Sequence, residues 1–350
     1  MHTSWKSPGR VWDKVAPAML MMVLAPTFTE LLLGGTRLST LIAFPPVLLM
    51  EILVWGGGAV LLRGLTRKLE LGWSSLLLFA LALAIAEEFV IQQTSLAPLV
   101  IQLKGVEWGR AGGINYVYAL WALVYEVAWV VLFPALVTEL VFPHRRGETW
   151  LNRPVAAVLS ILFVLGATMA WFAWTHIARV KTFHLAIYNP TRFELSAAIV
   201  VIGGLCAWSM TFPPTVSRTW RPVSPAVVAL LGGLWGAIWF LLAVLAFGIA
   251  PRLSAPAVFA AGAAVVLTIV MVLPRWMSSA AWTQRHAYCL FAGALTGAML
   301  ISFLGFRGAA REDIVFKLVT NAIALLLMFL LGRRMTMSCL QTQEEPCQDS

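Results

Sequence analysis

The feature that most constrains the fold is a series of apolar runs, each about 20 residues long, that recur along all 350 residues. At a rise of about 1.5 Å per residue, a helix of that length matches the roughly 30 Å apolar core of a bilayer. We therefore predict an all-α polytopic transmembrane helix bundle of about ten helices. The predicted spans are residues 15–34, 41–62, 73–93, 114–141, 154–174, 194–212, 225–248, 256–274, 287–305 and 315–332.

Composition supports this class. Apolar residues make up 60% of the chain and charged residues 12%, which no soluble domain matches. The connections between spans are short, so any chemistry has to take place at membrane depth or in short loops. We expect a single membrane domain over residues 1–350, with an acid-bearing half at 15–141, apolar helices at 154–332 and a disordered cytoplasmic tail at 333–350.

The positive charges indicate the orientation. Lys6, Arg10 and Lys14 precede the first span, which we interpret as a retained helix with a cytoplasmic N-terminus. Most of the 25 Lys and Arg residues fall on that same side if there are ten spans, which predicts both termini to be cytoplasmic. The net charge of +9 is spread over helix ends, so we expect membrane lipid as a partner and no nucleic acid.

Acidic residues are concentrated in the first four predicted spans. Antiparallel helices should bring several of them to one zone between the midplane and the outer leaflet, with Glu139 separate near the inner end. The acids inside predicted spans are Glu30, Glu51, Glu87, Glu88, Glu126 and Glu139.

Carboxylates at this depth are costly unless they are paired, hydrated or protonated. The sequence places no Lys or Arg deep in a span. The remaining ways to stabilise them are a bound proton, a bound cation, internal water, or hydrogen bonds from Trp, Tyr, Asn or Gln. Because Glu87 and Glu88 are adjacent, we expect at least one to be neutral at pH 7.

Helical spacing suggests which neighbours share the site. Glu88 and Gln92 are four residues apart, Asn115 lies on the same helix face as Glu126, and Tyr125 flanks that face. A purely structural hydrogen-bond network remains an alternative interpretation. No Cys-His or HExxH spacing indicates a metal site, and no motif assigns a cofactor. The candidate catalytic residues are Glu87 and Glu88, and the candidate ligand- or proton-binding residues are Glu51, Gln92, Asn115, Tyr125 and Glu126.

Several segments resemble a group of bacterial multi-pass membrane proteins. The resemblance covers roughly residues 25–155 and implies a location in the bacterial cytoplasmic membrane. The segments that carry it are PTFTELLLGGTR, GGGAVLLRGLTRK, GWSSLLLFALALAIAEE and VYEVAWVVLFPALVTELVFPHRRGE.

A more remote resemblance is to the CAAX-protease-like, glutamate-dyad intramembrane proteases, whose motifs are EExxxR and FxxxH. Glu87, Glu88 and Gln92 match the first motif with Gln in place of Arg, while Trp121 and Tyr125 have the second spacing with Tyr in place of His. In that family a glutamate activates water and histidines stabilise the oxyanion. The resemblance therefore implies a degenerate relative that binds or scaffolds rather than one that hydrolyses peptides.

Three classes of function stay open at this point. The first is the degenerate CAAX-protease-like protein. The second is a proton- or cation-coupled transporter of a small solute, in which intramembrane acids exchange a proton or an ion. The third is a structural or assembly subunit, which is favoured if neutralising every acid has no effect.

Overall fold

The ten predicted spans are confirmed. A computed structural model describes residues 11–100, 105, 107–211, 220–244 and 253–344. In this described part, ten helices are long and apolar enough to cross a membrane. The chain is a multi-pass membrane protein.

The bounds of the helices follow the apolar runs closely. Five spans are regular helices over their whole length, and the other five (α1 to α5) contain a wider, π-helical section. The helices are α1, Val11–Pro26 continued by Thr27–Leu32; α2, Pro46–Lys68; α3, Trp73–Ile91; α4, Tyr116–Val141; α5, Arg153–Thr182; α6, Arg192–Ser209; α7, Pro225–Val244; α8, Ala255–Met277; α9, Gln284–Ser302; and α10, Arg311–Glu344.

The predicted ends differ most at α2, α5 and α10. Helix α2 continues to Lys68, α5 continues to Thr182, and α10 starts at Arg311. The prediction of a disordered tail from residue 333 is wrong for residues 333–344, which continue α10. This stretch contains no Pro or Gly, so nothing in it ends the helix where the apolar run ends. Residues 345–350 lie outside the described residues.

The π-helical sections coincide with the acids. Glu30 lies inside the section Thr27–Leu32 of α1, and Glu87 and Glu88 lie inside the section Ala86–Ile91 of α3. The sections of α2 and α4, Ile52–Gly56 and Val127–Leu132, begin directly after Glu51 and Glu126. Short π-helical sections are rare and are frequent at functional sites, so their position on all four acid-bearing helices is informative.

Helices α1 to α4 form the centre of the bundle. The buried share of their most apolar stretches is 44% to 56%, whereas in α5 to α10 it is 11% to 39%. Helix α4 lies between two apolar clusters, because Val130 and Val131 pack with α1, α2 and α3 while Trp129 packs with α7 and α9. The acids on α1 to α4 are therefore held by the most enclosed helices of the described part.

A small cap covers the predicted outer end of α3 and α4. Two short strands, β1 (Arg110–Ala111) and β2 (Ile114–Asn115), pair antiparallel. Gly112 and Gly113 connect them with positive φ angles of 57° and 84°, which glycine adopts without strain. The end of β2 leads directly into α4.

Close contact between α1 and α2 depends on Gly56. A Cβ atom at this position would overlap the backbone of Met22. We expect Gly56→Ala to lower the free energy of unfolding by about 1–3 kcal/mol, since neither backbone can move without repacking. Gly203→Ala on α6 is the matched control, because a Cβ there meets nothing within 4 Å. Thermal unfolding in detergent checks this, and equal behaviour of the two variants would contradict it.

Candidate functional site

The centre of the candidate site is a group of three buried carboxyls from α3 and α4. Glu87, Glu88 and Glu126 are 1%, 2% and 8% exposed. The carboxyls of Glu87 and Glu88 are both near neighbours of the Glu126 carboxyl. Ionised carboxylates have only acceptor atoms and repel one another, so a proton shared within this group would stabilise it.

Glu88 accepts hydrogen bonds from three hydroxyl groups. Thr94 Oγ1 and Ser95 Oγ lie 2.5 and 2.8 Å from its Oε2, and Tyr118 Oη lies 3.4 Å from its Oε1. Thr94 and Ser95 reach back because Gln93 has a left-handed φ of 61° that reverses the chain after α3. With these three donors, Glu88 is the carboxyl of the three that is arranged to accept hydrogen bonds.

Glu87 has a different environment. In the described part of the chain, no hydrogen bond of good geometry reaches either of its Oε atoms. The groups that approach it are the carboxyl of Glu126 and the indole of Trp55 on α2. A buried carboxylate with so few donors would be costly, so this environment suits the neutral acid. The two adjacent glutamates thus differ in environment, because hydroxyl donors hold Glu88 and none reaches Glu87.

Glu30 and Glu51 form a second acidic pair that Thr36 bridges. Thr36 Oγ1 lies 2.8 Å from Glu30 Oε2 and 3.3 Å from Glu51 Oε1. A hydroxyl donates one hydrogen, so it can satisfy one carboxylate while the other carboxyl has to donate its own proton. Gly35 leaves the space for the Glu30 carboxyl, because a Cβ there would overlap it. The Glu30 charge is close enough to act on Glu87, which links the two groups.

An aromatic wall closes the site towards α7. Tyr125 stacks on Trp121 with ring centroids 5.0 Å apart, and Phe240 of α7 packs edge-on against both rings. Tyr125 Oη donates to the Thr29 carbonyl on α1 at 2.8 Å. The Tyr125 hydroxyl therefore joins α4 to α1 between the two acidic groups.

Asn115 and Gln92 lie differently from the sequence expectation. Asn115 is buried, but its side chain donates to the carbonyls of Thr94 and Ala97 at 3.2 and 2.6 Å and accepts from Arg110. It acts on the site only by positioning Thr94. Gln92 is half-buried, its backbone N–H donates to the Glu87 carbonyl at 2.7 Å, and its side chain makes no hydrogen bond to any described residue. The prediction that it shares a face with Glu88 assumed α-helical spacing, which the wider turn Ala86–Ile91 does not follow.

Two cations inside spans, Arg63 and Lys317, are buried, and each is 1% exposed. Both were placed at helix ends, but α2 continues past Arg63 and α10 begins six residues before Lys317. Arg63 pairs with Glu139 at 3.0 Å, as does Arg67 at 2.7 Å, so Glu139 is separate from the cluster as predicted. Within the described ranges, none of the other acids on α1 to α4 forms an ion pair with a Lys or Arg.

Three hydroxyl residues of the site were missed in the sequence. Thr36, Thr94 and Ser95 all lie just after a helix end, in connections that were interpreted only as loops. Short polar side chains that directly follow an acid-bearing helix were the available signal, because a reversal of the chain brings them back to the carboxyl.

No group of three or more His, Cys, Asp and Glu side chains in the described ranges could hold a metal ion. Comparison with family models, with curated proteins and with solved structures gives no match. Function is therefore inferred from the residues of the site itself.

Proposed function

We propose that this protein is a proton-coupled transporter of a small solute in a bacterial cytoplasmic membrane, with lipid as its surrounding partner. The observation that carries the proposal is the contact of Glu126 with both Glu87 and Glu88 at membrane depth. These carboxyls have no paired cation among the described residues, and a bound proton would stabilise them. Intramembrane acids of this kind are typical of proton relays in transporters.

The environments of the three carboxyls suggest how a proton would move. Glu126 neighbours both of the other carboxyls, so we infer that it passes a proton between Glu87 and Glu88. Glu88 accepts hydrogen bonds from the hydroxyls of Thr94 and Ser95, which lie in the predicted outer connection after α3. Hydroxyl groups both donate and accept, so this side offers a route for protons to and from the outer surface.

The π-helical sections support a site that changes conformation. In such sections some backbone groups lie outside the regular α-helical hydrogen-bonding pattern, so the helix is more easily rearranged there. In α1 to α4 they occur at the acids themselves, beside Glu30, Glu51, Glu88 and Glu126. A change in protonation would thus act at the places where each helix is most easily rearranged.

Proton flux in vesicles tests the proposal. The purified protein is reconstituted into liposomes that contain a pH-sensitive dye, a pH gradient is imposed, and a panel of sugars, amino acids, organic acids and amines is added. We expect at least one solute to accelerate proton entry, and Glu126→Gln to abolish that acceleration. Glu312→Gln, at an exposed acid at the start of α10, is the matched control and should behave as wild type.

The spectrum of the protein provides a second measurement that needs no solute. Protonated carboxyls have an infrared C=O stretching band that carboxylates lack. We expect wild-type protein to retain this band above pH 7 and Glu126→Gln to reduce it. Absence of the band in wild type, together with no solute-dependent flux, would overturn the proposal.

A degenerate CAAX-protease-like role is the second candidate. It is favoured by one observation: the adjacent Glu87 and Glu88 are both buried, and only Glu88 is held by hydroxyl donors, so Glu87 is free to act on water. Against catalysis, the described histidines that make hydrogen bonds, His176 and His286, pair with neighbouring threonines. Hydrolysis of membrane-anchored peptides that is lost in Glu87→Gln would favour this candidate over transport.

A further inference from the structure

A second buried polar site lies on α10, away from the acids. Lys317 and Asn321 are one helical turn apart, are 1% and 6% exposed, and lie on the face of α10 that packs against α1 and α9. Neither residue takes part in the proposed proton exchange. Buried polar side chains inside a span are costly and are usually kept for a reason.

The ammonium group of Lys317 has one hydrogen-bond acceptor. Its Nζ donates to the Leu32 carbonyl at 2.8 Å, and the rings of Phe303 and Phe306 lie with centroids 4.9 and 5.0 Å away. A lysine ammonium has three donors, so two remain after the bond to Leu32. No carboxylate among the described residues forms an ion pair with it.

Asp313, the acid one turn before Lys317, is engaged elsewhere. Its two oxygens accept from the backbone N–H and the hydroxyl of Ser39, at 2.9 and 3.0 Å. This pair of bonds holds the start of the short helix Leu38–Ala43 against α10. Asp313 is therefore occupied by Ser39 and leaves the positive charge of Lys317 without a counterion.

Asn321 is the observation that points to a ligand. Its side chain is more than nine-tenths buried, yet both Nδ2 and Oδ1 lack any hydrogen-bond partner. An unpaired buried amide is strongly unfavourable, and almost all such groups in folded proteins are satisfied. Lys317 lies one turn away on the same helix, and residues at this spacing are neighbours on one helix face.

We propose that Lys317 and Asn321 form a binding site for a carboxylate. The ammonium group would neutralise one negative charge, and the Asn321 amide N–H would donate to a carboxylate oxygen. The Asn321 carbonyl would accept from a hydroxyl or amino group beside the carboxylate, while the Phe303 and Phe306 rings would contact the carbon atoms. This inference names the class of solute. Transport of the carboxylate rests on the proposed function, whereas its binding does not.

The competing interpretation is purely structural. Lys317 lies at the C-terminal end of α1, where a cation that bonds a free carbonyl such as that of Leu32 is favourable without any ligand. That interpretation accounts for Lys317 but leaves Asn321 unexplained. It predicts that carboxylates have no effect on the protein and that Asn321→Leu is neutral or stabilising.

Thermal unfolding of the full-length protein in detergent distinguishes the two. The probes are lactate, propionate, palmitate and chloride at constant ionic strength and pH 7. We expect a carboxylate to raise the unfolding temperature, and Asn321→Leu to weaken its apparent affinity about tenfold, as for loss of one hydrogen bond to a charged group. Thr320→Val, which removes a hydroxyl that only bonds back to its own helix, is the matched control.

Each outcome bears on the proposal. A larger effect of lactate than propionate supports a soluble hydroxy acid, while an effect of palmitate alone supports a fatty acid from the membrane. No shift with any carboxylate, an equal shift with chloride, or an unchanged shift in Asn321→Leu overturns it. Glu126→Gln should retain the carboxylate shift, so failure of proton exchange and failure of this site can be told apart.

Discussion

Replacing Arg63 with Met is expected to lower the free energy of unfolding by about 3–5 kcal/mol, as for removal of one partner from a buried ion pair. The Arg63 Nε and Nη2 atoms lie 3.3 and 3.0 Å from Glu139 Oε1, and the guanidinium stacks 3.4 Å from the centre of the Trp150 ring. The same group donates to the carbonyls of Arg146 and Glu148. Without it, two carbonyls lose their donors, and the Glu139 carboxylate keeps only its pair with Arg67, whose side chain is 26% exposed.

Chemical unfolding in mixed micelles, followed by tryptophan fluorescence, measures this effect. Arg145→Met is the matched control, because Arg145 also pairs with a glutamate, Glu148, at 2.8 Å, but the two side chains are 23% and 52% exposed. Exposed pairs contribute about 0–1 kcal/mol. Arg63→Lys should fall between the two, since it keeps the charge and loses the forked donors. Similar losses for Arg63→Met and Arg145→Met would contradict the assigned role of the buried pair.

The sequence was sufficient for the ten spans and for the acids that meet. Length and hydropathy determine spans because a bilayer imposes both, and the antiparallel order of helices gives each acid a depth. That logic correctly separated Glu139 from the others and brought Glu87 and Glu88 to the helix that carries Glu126. These predictions depend on position along a helix, which the sequence states directly.

Contacts between side chains of different helices and connections could not be predicted from span length and hydropathy. Gln92 was assigned to the site by its spacing from Glu88, but spacing along a helix does not say which groups its side chain bonds. Thr94 and Ser95 reach Glu88 only because Gln93 takes a left-handed conformation, for which no Gly or Asn gives a signal. Lys317 was counted among the charges at a helix end, although it lies six residues inside α10 and is 1% exposed. Each miss reflects local geometry that hydropathy does not report.

Glu126→Gln is expected to change how stability depends on pH. The proximity of Glu126 to Glu87 and Glu88 favours a bound proton in the folded protein, whereas in the unfolded protein glutamates ionise near pH 4.3. If the cluster retains this proton above that pH, the folded state binds more protons than the unfolded state. Under this condition the free energy of unfolding falls as pH rises, by about 1.4 kcal/mol per pH unit for each retained proton.

The Gln variant supplies permanent N–H donors to its two neighbours, so it should unfold with a slope reduced by about one proton. Glu88→Gln should instead be destabilised at every pH by about 1–3 kcal/mol, because its amide nitrogen would oppose a hydroxyl donor from Thr94, Ser95 or Tyr118. Glu312→Gln should run parallel to wild type. Parallel slopes for wild type and Glu126→Gln would mean that the cluster holds no proton through this contact, and proton coupling through Glu126 would then be excluded.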